Sequence, residues 1–139
     1  MNTAIIGLSL GMLLFLVAAG LALIFGLLGV VNLAHGAFYM LGAYFGYQVI
    51  HWGGNFWVAL ALVPPAVAIV GALVERVALR PLYPRPHHFQ FLLTFGLILI
   101  INEATRMIWG VNYQQVEVPQ LLQGSVVIGD GRVSIYRVF

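Results

Sequence analysis

The chain has 139 residues, of which 62% are hydrophobic and 7% charged, with no cysteine and a formal net charge of +2. An ordinary soluble domain is roughly 45–50% apolar and about 25% charged, so a mean hydropathy of +1.00 excludes a soluble fold. The basic residues are all arginine, too few and too scattered for nucleic-acid binding, and the lack of cysteine excludes disulfides and thiolate metal sites. Met1 to Val74 holds no Asp, Glu, Lys or Arg at all. This is the composition of an integral membrane protein.

The N-terminal Met1-Asn2-Thr3-Ala4 carries no basic residue, and the apolar run behind it outlasts the roughly 7–15 residues of a signal-peptide core. That segment is therefore expected to stay in the membrane. The run from Ala4 to Ile50 would make a single helix of roughly 70 Å, against a hydrocarbon core of about 30 Å. It must fold back, and the expected place is the broken or re-entrant stretch 29–36, where Gly29, Asn32, His35 and Gly36 interrupt the apolar pattern. Asn32 is expected to cap the helix that follows. Spans are expected over about 4–28, 33–50, 56–74 and 89–109, an all-α membrane protein with about four crossings. Residues 51–55 form a short turn between the second and third, with Trp52 and Trp57 at headgroup depth. Pro64-Pro65 should kink the third span.

Residues 75–88 hold three of the six arginines, and Pro81, Pro84 and Pro86 predict a stiff, non-helical loop. The arginine excess places this loop in the cytoplasm. Span parity then puts both the N-terminus and residues 110–139 on the periplasmic side. The last thirty or so residues are more polar, and two β-prone runs around Asp130-Gly131 predict an extramembrane β-hairpin over 126–136.

Enzyme motifs are missing: there is no nucleophile elbow, no zinc-binding His pair on a helix and no phosphate-binding loop. His87-His88 lacks a nearby third ligand and reads as a solvated pair, so no metal and no cofactor are expected. Asn32, His35 and Gly36 fit two readings. One is a helix break lining a translocation pathway, the other a plain turn at the membrane surface. Asn102, Glu103 and Arg106 are intramembrane polar residues near the end of the fourth span. Glu103 and Arg106 sit three residues apart, suited to a mutual ion pair, and Asn102 could bond a neighbouring helix. Gly7 with Gly11, and Gly42 with Gly46, have the spacing that allows close helix packing in lipid.

The stretch Gly20-Leu21-Ala22-Leu23-Ile24-Phe25-Gly26-Leu27-Leu28-Gly29-Val30-Val31-Asn32-Leu33-Ala34-His35-Gly36-Ala37-Phe38-Tyr39-Met40-Leu41-Gly42-Ala43-Tyr44 resembles the LivH-type permease subunits of branched-chain amino acid ABC transporters. Glu75-Arg76-Val77-Ala78-Leu79-Arg80-Pro81-Leu82-Tyr83 and Leu92-Leu93-Thr94-Phe95-Gly96 resemble the next landmarks of that family, in the same order. The resemblance implies a subunit of a bacterial inner-membrane importer for branched-chain amino acids or related small molecules. It also implies a LivM-type second permease, two cytoplasmic ABC ATPases and a periplasmic substrate-binding protein as partners, with the lipid bilayer around them. ATP hydrolysis would belong to the partner subunits. Family members are longer, so the chain corresponds to the N-terminal part of such a transmembrane domain. The alternative is a truncated, non-transporting scaffold or gene remnant of the same family.

Overall fold

The computed structural model describes residues 2–111, 119, 123–128 and 131–135. Four helices come first: α1 (Asn2–Leu28), α2 (His35–His51), α3 (Phe56–Val74) and α4 (His87–Trp109). Two short strands follow, β1 (Ser125–Ile128) and β2 (Gly131–Ser134).

The uncharged apolar run of α1 continues until Gly29, where φ of +63° puts the backbone in the left-handed region. A glycine enters that region without a Cβ clash, and it ends the helix. The Gly29 amide reaches back to the Phe25 carbonyl at 2.8 Å, closing the last turn. Residues 29–34 are non-helical, and α2 begins at His35. The second helix thus starts two residues later than expected, because Asn32, Leu33 and Ala34 form a turn first.

The 17 residues of α2 span roughly 25 Å, short of the hydrocarbon thickness. Among the described residues three helical bodies are long and apolar enough to cross: Ile6–Leu28, Phe56–Leu82 and His87–Trp109. Four helices are present, but four equivalent crossings are not. α2 begins two residues later than the expected span and ends one residue beyond it.

Asn55 caps α3, its side-chain oxygen accepting from the Val58 amide at 2.9 Å. The helix continues through Pro64 and Pro65. It also continues past Val74, as a π-helical turn over Glu75–Leu79 and a 3-10 turn over Arg80–Leu82. The expected non-helical loop over 75–88 is thereby corrected. Pro81 sits at the start of the 3-10 turn, where a missing N–H breaks no hydrogen bond. The irregular connection shrinks to 83–86, and α4 starts at His87 rather than Phe89.

α2 and α3 lie antiparallel across the tight turn at 52–55, and small residues set their separation. A Cβ on Gly42 would stand 3.5 Å from Val67 and 3.7 Å from Val63, and one on Gly46 would stand 3.8 Å from Val63. Gly7 and Gly11 on α1 have nothing within 4 Å. α4 runs parallel to α2, joined to the break at one end and to the C-terminal half of α2 at the other. At that second end the Trp109 indole N–H donates to Gln48 Oε1 at 2.7 Å, and the Trp109 ring lies 5.2 Å from that of Tyr44.

β1 and β2 pair antiparallel, Ser125 opposite Ser134 and Ile128 opposite Gly131, and β2 touches α1. The hairpin expected over 126–136 is not borne out as read: the pairing runs from 125 to 134, and Gly131, expected in the turn, lies in β2 opposite Ile128. Asp130, expected in its turn, lies outside the described residues.

Replacing Gly42 by Leu should force α2 and α3 apart and destabilise the bundle by about 1–3 kcal/mol, the usual range for overpacking. Gly7→Leu should change stability by less than about 0.5 kcal/mol, since nothing opposes it. Unfolding of each purified variant in mixed micelles, followed by Trp fluorescence, measures the difference.

Candidate functional site

Most of the buried residues gather at one end of the bundle, with Ala59 and Thr105 apart from them. Val30, Asn32, Ala34, Ala37 and Phe38 from the break and the first turn of α2 meet Leu79 below α3, and Gln90 and Thr94 on α4. Elsewhere most large apolar side chains face outward, as lipid-facing helices require.

Leaving helical geometry frees backbone amides and carbonyls, which must find partners away from water. Asn32 answers part of this locally. Its side-chain oxygen accepts from the Ala34 amide at 3.1 Å, and its carbonyl accepts from the His35 amide at 3.2 Å. The residue at the N-cap position of α2 is Ala34, which makes no side-chain cap. Asn32 therefore builds an Asx turn ahead of the helix instead of occupying the cap.

The second partner comes from α4. Gln90, 2% exposed, accepts the Val31 amide on its Oε1 at 3.4 Å. One turn later the fully buried Thr94 hydroxyl donates to the Gln90 carbonyl at 2.8 Å and lies 3.2 Å from that of Phe91. Thr94 thus satisfies itself on its own helix, and the Gln90 amide is left to face the break. The third contact comes from α1, where a Cβ on Gly20 would stand 2.7 Å from His35 Nε2. His35 is half-buried against that glycine, level with a point about two turns before α1 ends. Gly36 beside it is exposed, with open space where a Cβ would be.

Asn32 and His35 flank the break, Gly36 stays exposed beside them, and Gln90, which composition alone did not single out, reaches the break at the Val31 amide. The available signal was a glutamine one turn from a threonine in an otherwise apolar helix. Asn102, Glu103 and Arg106 are not part of this cluster. Glu103 lies roughly 13 Å further along α4 than Thr94, and it faces Arg106 at 3.9 Å with both side chains largely exposed. Asn102 is half-buried. Thr105, close by, donates to the Ile101 carbonyl. His87 and His88 are exposed, and the His88 ring lies against Phe89. Among the described residues no group of His, Cys, Asp or Glu could hold a metal. The site offers hydrogen-bonding side chains at a backbone break.

Three helical bodies long and apolar enough to cross a bilayer make this a multi-pass membrane protein. The chain belongs to the family described as branched-chain amino acid transport system, permease component, whose family model matches residues 3–136. It is 27% identical over 132 residues to the high-affinity branched-chain amino acid transport system permease protein LivH of Escherichia coli (strain K12), covering 88% of this chain and 42% of that protein. It is likewise 27% identical over 137 residues to the permease protein BraD of Pseudomonas aeruginosa, covering 92% of this chain and 44% of BraD. The LivH protein of Salmonella typhimurium is 25% identical over 132 residues. The chain thus spans under half the length of these curated relatives. No solved structure matches it.

Gln90→Leu should leave the Val31 amide without its acceptor and destabilise the break by about 1–3 kcal/mol. Hydrogen exchange should show faster exchange across residues 30–35, with the amides of Leu60–Ala72 little changed.

Proposed function

We propose that this chain forms part of the translocation path of a bacterial ABC importer for branched-chain amino acids, as the N-terminal portion of a permease subunit. The observation that carries the reading is the partly buried break at 29–34, held by Asn32 and by Gln90. A helix that starts inside the bundle points the positive end of its dipole at the break. That polarity suits the carboxylate of an amino acid. Asn32, His35 and Gly36 would line the path, and Gln90 would hold its backbone in place. The printed names of the LivH and BraD relatives support the substrate class.

On this reading the protein lies in the inner membrane with residues 75–88 cytoplasmic and residues 110–139 periplasmic. A LivM-type second permease, two cytoplasmic ATPases and a periplasmic binding protein complete the importer. The ATPases would supply the energy, and the permease would alternate access around the break.

In cells carrying the complete transporter, Asn32→Leu and His35→Leu should each lower leucine uptake roughly tenfold or more, a loss of about 1.4 kcal/mol or greater, at near-normal membrane abundance. Uptake per permease molecule equal to the parent in both variants would return these residues to a purely structural turn. Orientation is checked separately by Tyr83→Cys and Ser125→Cys. An impermeant thiol reagent added to intact cells should label position 125 and spare position 83; the opposite pattern inverts the topology.

A further inference from the structure

The two ends of the bundle differ in charge. At the end carrying residues 75–88, Arg76, Arg80, Arg85, His87 and His88 are all exposed. The one carboxylate among them, Glu75, accepts the Tyr83 hydroxyl at 2.8 Å. At the other end the turn at 52–55 is uncharged, and Arg106 has Glu103 beside it. Among the described residues, Arg76, Arg80 and Arg85 share one rim, while Arg106 and Arg132 lie apart from it.

That rim is structured. The π and 3-10 turns carry Arg76 and Arg80 on continuous helical backbone, with Leu79 buried beneath them. The connection to α4 is tight, Arg85 donating its amide to the Leu82 carbonyl at 3.0 Å and Phe89 to that of Pro86 at 3.1 Å. Pro81, Pro84 and Pro86 each fix φ, so little backbone entropy is left to lose on binding. Arg80 stands near Tyr83, whose phenol is held above its ordinary range by burial first and by Glu75 next, with the Arg80 charge acting in the opposite sense.

Apolar side chains are interleaved with these cations. Val77, Tyr83, Phe89 and Leu92 are all exposed, and the Arg85 guanidinium lies 5.6 Å from the centre of the Phe89 ring. The two long apolar bodies Phe56–Leu82 and His87–Trp109 end and begin here, which sets the rim at headgroup depth. A soluble anion would need only the charges. Charges next to outward apolar groups at this depth match a molecule with a phosphate at one end and acyl chains at the other.

We propose that Arg80 and Arg85, flanked by Arg76, His87 and His88, form a binding site for the headgroup of an anionic phospholipid, whose acyl chains run along Val77, Phe89 and Leu92. Such a site depends neither on the transport reading nor on which way the chain faces.

The test uses the full chain in phosphatidylcholine nanodiscs containing a small fraction of spin-labelled phosphatidylglycerol, with spin-labelled phosphatidylcholine as reference. The immobilised fraction of each label gives the preference for the anionic lipid. The parent protein should prefer phosphatidylglycerol, and Arg80→Gln/Arg85→Gln should lower that preference by roughly an order of magnitude. Arg80→Lys/Arg85→Lys should keep most of it, and Arg106→Gln, at the far end, should keep all of it. Should the double glutamine variant fail to fold by circular dichroism, 1 M NaCl on the parent protein replaces it and should abolish the preference. Equal immobilisation of the two lipids by the parent overturns the proposal, as does a preference that survives the glutamine variant or the salt. Displacement of the labelled lipid by millimolar inorganic phosphate also overturns it, in favour of a free-anion site. Retained lipid preference with loss of ATPase co-purification in the glutamine variant would make the rim a protein-docking surface and likewise overturn the assignment.

Discussion

Backbone hydrogen bonds that leave a helix inside a membrane have to be remade within the protein, and the six residues between Leu28 and His35 place that demand at the centre of this structure. Asn32 meets it from within the segment and Gln90 meets it from α4. Because Gln90 sits near the start of α4, the contact fixes where α4 stands against α2. The Gln48–Trp109 hydrogen bond then fixes the same pair of helices at their other ends. Two polar contacts about one helix length apart hold α2 and α4 parallel, and α3 returns between them in sequence as the antiparallel neighbour of α2.

The remaining packing follows from shape. Gly42 and Gly46 let α3 approach α2 through Val63 and Val67, and Gly20 lets the His35 ring lie on α1. In lipid, apolar side chains gain nothing by leaving one hydrocarbon for another, so close approach and hydrogen bonds carry the association. This is why so few residues are deeply buried and why those few include Asn32, Gln90, Thr94 and Thr105. The polar ones are the fastenings.

On the proposed path, function and stability would meet at the same residues. A break whose freed amides are held by an amide side chain and an Asx turn has two ways to rearrange without unfolding a helix: Gln90 can release Val31, or Asn32 can release Ala34. An uninterrupted span has no such freedom, since every backbone group is bonded along its own axis. The proposed path runs where the chain already has alternatives for its hydrogen bonds.

Membrane residence, the position of the break and the number of helices could be read from the sequence, because each rests on local composition: uncharged runs, glycine at Gly29, and the polar pair Asn32 and His35. Glu103 and Arg106 were placed as neighbours by helical spacing alone. Hydrophobicity could not fix where α2 begins, since Leu33 and Ala34 look apolar enough to be helical until the Asn32 side chain closes the turn. Nor could proline counting show that residues 75–82 stay helical, because the effect of Pro81 depends on its place within the turn. Only the tertiary structure brought Gln90 to Val31 and Trp109 to Gln48, residues about sixty positions apart. Periodicity within one helix says which face a residue occupies, whereas the partner on that face is decided by how separate helices pack.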